Sequence, residues 1–186
     1  MPAPLRKHLH ASLLASVLAL VGCAGEPARP MPTVAHVDLP RFMGEWYVIA
    51  NIPTFIEKGA HNAVESYQLA LDGTIETTFT FRAGGFDGEP RRYQPHGFVL
   101  DRQTNALWGM QFIWPVKADY RIVYLADDYS QTVVARSARD YVWIMARKPT
   151  ISDADYQHLV DVVARQGYDV SRLQRVPQRW TSGAPG

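Results

Sequence analysis

Most of the chemistry that side chains could perform here fails for want of partners. The 186-residue chain has a single cysteine, Cys23, so no intrachain disulfide and no cysteine-based metal site can form. His8 and His10 lie in the apolar leader, and His36, His61, His96 and His158 are scattered without metal-ligand spacing. No Gly-x-Ser-x-Gly elbow, phosphate-cradling glycine loop or dinucleotide fingerprint appears. Asp127-Asp128 and the pair Asp153 and Asp155 are neighbouring carboxylates, but a turn and a helix start account for them. Glu65 is the one acid expected to point into an interior. The reading is of a protein that is no enzyme and that needs neither metal nor cofactor. What remains is a lone thiol at the end of an apolar run and a large stock of aromatics.

Those aromatics need elements to hold them. The chain carries five Trp, nine Tyr and seven Phe, residues that favour strands and apolar sites. Its formal net charge is +1, which argues against a nucleic-acid partner. Arg6 and Lys7 precede an apolar stretch over residues 13–21, the layout of an export signal. The stretch is too short to span a bilayer, which takes about 20 apolar residues. Residues 1–22 are therefore expected to be a signal peptide and 23–38 a tether rich in Pro, Ala and Gly. A folded domain follows over 39–178, and 179–186 is expected to be a disordered tail.

Within the domain, eight β-rich runs are predicted: 45–52, 63–71, 74–82, 93–100, 106–114, 120–125, 132–137 and 141–146. Asp72-Gly73 is a two-residue hairpin signal between the second and third. Thr77, Phe79 and Phe81 share one face of the third run. The fifth run is ambiguous: Trp108, Met110, Phe112 and Trp114 could face inward, or Leu107, Gly109 and Ile113 could. After Pro149 the period changes. Ser152 is an N-cap, Tyr156, Leu159, Val160 and Val163 form an apolar stripe, and Gly167 is the stop. A short run over 173–176 is a candidate edge strand. The fold class is mainly β: an eight-stranded antiparallel up-and-down barrel with one C-terminal helix packed outside.

Two motifs carry a resemblance. Leu20-Val21-Gly22-Cys23 resembles the lipobox of bacterial lipoproteins, which implies diacylglyceryl transfer to the Cys23 sulfur, cleavage before Cys23 and acylation of the new amino group. Ala24 rather than Asp then leans toward the outer membrane. Gly44-Glu45-Trp46-Tyr47, Ala118-Asp119-Tyr120 and Arg147 resemble the three lipocalin signatures, in order. Phe55-Ile56-Glu57-Lys58-Gly59, Asp140-Tyr141-Val142-Trp143-Ile144 and Arg147-Lys148-Pro149-Thr150-Ile151-Ser152 extend the likeness to the bacterial outer-membrane lipocalins related to apolipoprotein D. Ala118 stands where Thr or Gly is more usual.

The resemblance implies a lipid-anchored protein of the cell outer membrane, facing the periplasm, that binds, stores or transports a fatty acid or lysophospholipid in its barrel for envelope maintenance or stress. It assigns structural roles to Gly44, Trp46, Asp119, Tyr120 and Arg147. Alternation from Trp46, together with the resemblance, places Val48, Ala50, Tyr67, Phe79, Phe81, Tyr120, Tyr124, Tyr141, Trp143 and Met145 around a ligand. The loops near Phe55-Ile56 and Phe86 are expected to rim the mouth, where exposed aromatics could meet a membrane instead. Some bacterial relatives dimerise, which leaves a homodimer open. A competing reading is an envelope adaptor with a filled barrel and a protein partner on its surface.

Overall fold

The computed structural model describes residues 30–180; the expected signal peptide (residues 1–22), Cys23 and residues 181–186 lie outside the described residues. A four-residue helix, α1 (Leu39–Phe42), leads into a run of antiparallel strands. These are β1 (Gly44–Ile52), β2 (Ala60–Leu69), β3 (Thr74–Ala83), β4 (Pro90–Tyr93), β5 (His96–Val99), β6 (Leu107–Ile113), β7 (Val116–Leu125), β8 (Gln131–Ala135) and β9 (Val142–Ala146). Neighbours in sequence pair in order, and β9 returns to pair with β1, so the sheet closes. Both β4 and β5 pair with β3. They are the two halves of one barrel strand, interrupted at Gln94-Pro95 where proline has no amide to give. Counted that way, eight strands make the barrel, the expected number. Closure removes the exposed edges that an open sheet would leave.

The C-terminal helix α2 (Asp153–Arg165) begins where the sequence predicts, with the Asp155 N–H donating to Ser152 Oγ at 3.0 Å. It ends before Gly167, whose φ of +85° only glycine adopts without strain. Leu159, Val162 and Val163 bury its apolar stripe against Ala50, Val133, Ile144 and Ala146 on the outside of the barrel. The candidate edge strand is present as β10 (Gln174–Arg175), paired with β1 at Ala50 and Asn51.

Two cores result. One fills the barrel interior around Phe42, Trp46, Tyr67, Trp108 and Tyr120; the other lies between the wall and α2. Strand alternation separates them. In β9, Trp143 packs on the interior cluster and Met145 belongs to it, while Val142, Ile144 and Ala146 face the helix.

Two expectations about the chain ends need correction. Residues 31–38 are not free tether. Met31 and Val37 are buried, and the strap is laced down by Val34 N–H to Ile122 O at 2.9 Å and Val37 N–H to Thr104 O at 2.7 Å. Nor does the ordered chain stop at Gln178. The Arg179 N–H donates to Asn62 Oδ1 at 2.7 Å, and the Trp180 ring packs edge-on against Tyr47 at 5.4 Å. Helix α1 was not anticipated; its signals were the Asp38 cap and Pro40 in its first turn.

Candidate functional site

The barrel has a sealed end and an open one. At the sealed end Trp46 is fully buried, and its indole N–H donates to the Phe42 carbonyl at 2.9 Å. The Arg147 guanidinium carbon lies 3.9 Å from the Trp46 ring centroid. Its nitrogens donate to the carbonyls of Glu45 (2.7 Å), Arg41 (2.9 Å), Phe42 (3.0 Å) and Met43 (2.9 Å). One cation thus joins the carbonyls at the C-terminal end of α1 to that of Glu45 at the start of β1. Gly44, at φ +94°, turns the chain from α1 into β1 directly against that guanidinium. Above this plate Trp108 and Tyr120 stack at 5.0 Å, and Tyr67 meets both edge-on. The floor is an aromatic block.

Toward the other end the interior opens into a cavity of about 400 Å³. Its wall is largely apolar: Phe79, Tyr93, Met110, Tyr120, Val134, Trp143 and Met145 line it. Phe55, Ile56, Phe112, Ile113, Arg136 and Tyr141 stand around its mouth. Those mouth residues come from the β1–β2 and β8–β9 connections and from the end of β6. The volume falls within the roughly 300–1,000 Å³ of small-molecule sites.

Of the ten expected ligand-facing residues, the structure brings five to the cavity: Phe79, Tyr120, Tyr141, Trp143 and Met145. Val48 is buried in the interior core but does not reach the void. Phe81 packs behind the lining, with Phe79 at 5.2 Å and Tyr93 at 6.2 Å. Tyr67 belongs to the floor block.

Two placements are overturned. Ala50 and Tyr124 face the helix side of the wall, not the interior. In each case a β-bulge intervenes. The β1–β9 register slips between Val48 and Ala50, and the β7–β8 register slips between Ile122 and Tyr124. One extra residue reverses the alternation downstream of it. Asn51 consequently points inward in place of Ala50, and the Tyr124 ring meets His158 of α2 at 5.4 Å. A third slip, between Met110 and Ile113 in the β6–β7 pair, resolves the ambiguous run. Trp108 and Met110 face inward, while Phe112 and Ile113 both emerge at the mouth.

Polar groups in the cavity are few. Glu65 looks into it from β2. Enclosure by protein is the main influence on its carboxyl and pushes it up to about 7; Tyr67, which donates to Oε2, opposes this, and the Glu57 charge adds to it. The Tyr67 hydroxyl is 2.8 Å from that of Tyr120, and burial raises both phenols well above their ordinary range. Glu57 was not singled out from the sequence, although the Phe55-Ile56-Glu57-Lys58-Gly59 segment that contains it was. It is buried at the mouth, where Trp143 Nε1 and Asn51 Nδ2 each donate to Oε2 at 2.8 Å and Thr54 Oγ1 donates to Oε1 at 2.6 Å. Asp119 accepts from the Ser137 N–H at 2.7 Å and from Arg121 at 3.0 Å. Burial alone would raise its carboxyl; these bonds outweigh it and hold the group below the usual range. Among the described residues no cluster of three His, Cys, Asp or Glu could hold a metal ion.

A family model described as a lipocalin-like domain matches residues 37–178. The chain belongs to the lipocalin family. This lipocalin is 29% identical to the outer membrane lipoprotein Blc of Escherichia coli K12, over 91% of the chain and 96% of that protein. It is 30% identical to temperature-induced lipocalin-1 of Arabidopsis thaliana, over 81% of the chain and 84% of that protein. Apolipoprotein D of Mus musculus matches at 25%, over 79% of the chain and 80% of that protein. The fold is shared with insecticyanin of the tobacco hornworm Manduca sexta, with a TM-score of 0.64 at 13% identity, covering 82% of this chain and 86% of that one. Lipocalin barrels thus recur at sequence distances where pocket residues are free to diverge.

Proposed function

We propose that this lipocalin carries a single-chain amphiphile, a fatty acid or lysophospholipid, with its acyl chain in the barrel. One observation supports this above others: the cavity is apolar, blind at the floor and open at one end. An acyl chain entering tail-first gains about 0.8 kcal/mol for each methylene it buries, before the costs of ordering. The head would remain at the mouth beside Arg136, whose Nε is buried with no hydrogen-bond partner and whose Nη1 is 3.4 Å from Asp140. An anionic carboxylate or phosphate there would satisfy that nitrogen. The adaptor reading needs a filled barrel, and a void of about 400 Å³ weighs against it.

The anchor belongs to the same proposal. Similarity to an outer membrane lipoprotein across nearly the whole chain, together with the sequence around Cys23, supports lipidation of that thiol and residence at the outer membrane, facing the periplasm. Acyl chains on one residue would hold the carrier at its source of ligand.

The deciding experiment is native mass spectrometry with lipid extraction on the exported chain carrying Cys23→Ser, followed by titration with a fluorescent fatty acid and a lysophospholipid. Saturable binding of one ligand per barrel is expected, weakened by Phe79→Asp in a protein that still folds. Absence of both co-purified lipid and saturable binding would return the adaptor reading to the front.

A further inference from the structure

The mouth of the barrel wears its apolar residues on the outside. Phe112, Ile113, Trp114 and Val116 are 52%, 75%, 82% and 66% exposed, and Phe55, across the opening, is 82% exposed. Residues 112–116 read Phe-Ile-Trp-Pro-Val, an uninterrupted apolar run at the tip of the β6–β7 hairpin. Such a run in water is a liability unless something covers it. We infer that this rim is a membrane-docking surface: the protein sits mouth-down on a phospholipid bilayer, with the hairpin tip and Phe55 inserted among the headgroups.

Three observations favour a bilayer over other occupants. The first is charge. Exposed Lys58 and Lys117 stand at the bases of the apolar tips; the Lys117 stem runs back along the sheet beside Gly109 to place its ammonium 3.5 Å from the Phe98 ring centroid, while exposed Asp87 and Glu89 lie on the neighbouring β3–β4 loop. Long cationic side chains beside an apolar tip suit an interface of acyl chains below and phosphates above. At the floor end the exposed leucines Leu71 and Leu100 sit instead beside Asp72 and Asp101, whose carboxyls local hydrogen bonds keep low and therefore ionised.

The second is the path of the N-terminal strap. From Val37, bonded near the floor at Thr104, it climbs past Ile122 at Val34 to Met31, whose carbonyl accepts from Arg121 at 3.2 Å. It therefore rises toward the mouth as it runs back toward Cys23. The eight Cα steps from Cys23 to Met31 can reach at most about 29 Å. An anchor at Cys23 would then hold the barrel within that reach of the bilayer and leave its mouth free to face it.

The third is extent. Five side chains on two loops fall well short of the roughly 20–30 residues a side of a standard protein interface. They are enough for shallow insertion, in which each apolar side chain contributes separately. The first and third observations are independent of the ligand proposal; only the strap argument rests on the lipidation of Cys23 proposed above.

The test uses the exported chain with Cys23→Ser, so that no acyl anchor contributes. Its co-sedimentation with vesicles of phosphatidylethanolamine and phosphatidylglycerol is measured without added ligand, together with tryptophan emission. Trp114 and Val116 lie outside the cavity lining and make suitable probes. Partition into vesicles with a blue-shifted emission is expected, and Trp114→Asp or Val116→Asp should each weaken it by about tenfold while solution titration with a fluorescent fatty acid is unchanged. If Trp114→Asp fails to fold, Val116→Asp alone carries the comparison. No partition, or partition that survives both substitutions, overturns the inference. Concentration-dependent dimerisation that both substitutions abolish, in a chain that ignores vesicles, overturns it in favour of a second copy on the rim. A chain that partitions but binds no fatty acid would keep this inference and remove the ligand reading.

Discussion

Trp143 and Glu57 are joined across the mouth: the indole N–H of a cavity-lining residue on β9 donates to a carboxylate on the β1–β2 loop at 2.8 Å. The loop that carries exposed Phe55 is tied by this bond to the wall it overhangs. Asn51 and Thr54 supply two more bonds to the same carboxylate. Three donors on one buried acid hold a segment of the rim whose neighbours Phe55 and Lys58 have little packing of their own.

Removing one donor should loosen that loop without emptying the cavity of aromatic surface. Trp143→Phe is expected to cost about 1–3 kcal/mol, the range for leaving a buried acceptor short of a partner. Hydrogen exchange should rise across residues 53–59 and stay unchanged in α2. Equal protection in both proteins would mean that Asn51 and Thr54 suffice.

Glu65 makes stability depend on pH in a stated direction. Its carboxyl titrates near 7 when folded against an ordinary value of 4.5. Between those values the folded chain holds a proton that the unfolded chain has released. Stability therefore falls as pH rises through that window and levels off above it. Glu65→Gln should flatten the profile, with a difference on the order of 3 kcal/mol between the ends of the window. Acyl-chain affinity should follow the same slope, since above pH 7 an ionised group faces the chain alongside Glu57 and the Tyr67 and Tyr120 hydroxyls. Parallel profiles for the two proteins in thermal melts would show that Glu65 titrates elsewhere.

Arg147→Lys tests the floor. A lysine keeps the charge but cannot serve the carbonyls of residues 41, 42, 43 and 45 together, nor lie flat on Trp46. The loss should be about 2–4 kcal/mol, read as a lower Tm, with one ligand per barrel still bound. A melt within a degree or so of the parent would demote the carbonyl cluster to decoration.

Tyr124 and Tyr120 separate the two sides of the wall. Tyr124→Ala should lower stability by about 1–3 kcal/mol by thinning the contact with α2, and leave ligand affinity unchanged. Tyr120→Phe should leave the fold intact but change affinity, since its hydroxyl belongs to the polar group around Glu65. Reversed effects would place the β7 bulge wrongly.

That contrast marks where sequence reasoning stops. Strand number, the Ser152 cap and the Gly167 stop follow from local chemistry, the structural roles of Trp46 and Arg147 from the family resemblance, and the structure has them all. Alternation also served wherever a strand runs unbroken, as from Thr77 to Phe81. It failed at Ala50 and Tyr124 because a bulge depends on how two distant strands register, and nothing in Val48-Ile49-Ala50 or Ile122-Val123-Tyr124 announces one. Glu57 escaped notice for a similar reason. A glutamate between Ile56 and Lys58 looks solvated until a tryptophan some 86 positions away is seen to donate to it.

The aromatic block above Trp46 gives the cavity a fixed depth. A blind well of fixed depth acts as a ruler. Guests with short chains would leave a dry gap beneath them and forgo contact, while longer ones would stand proud of the rim. Chain length, more than head chemistry, would then set how firmly a guest is held, and enlarging Met145 or Met110 should shorten the preferred chain.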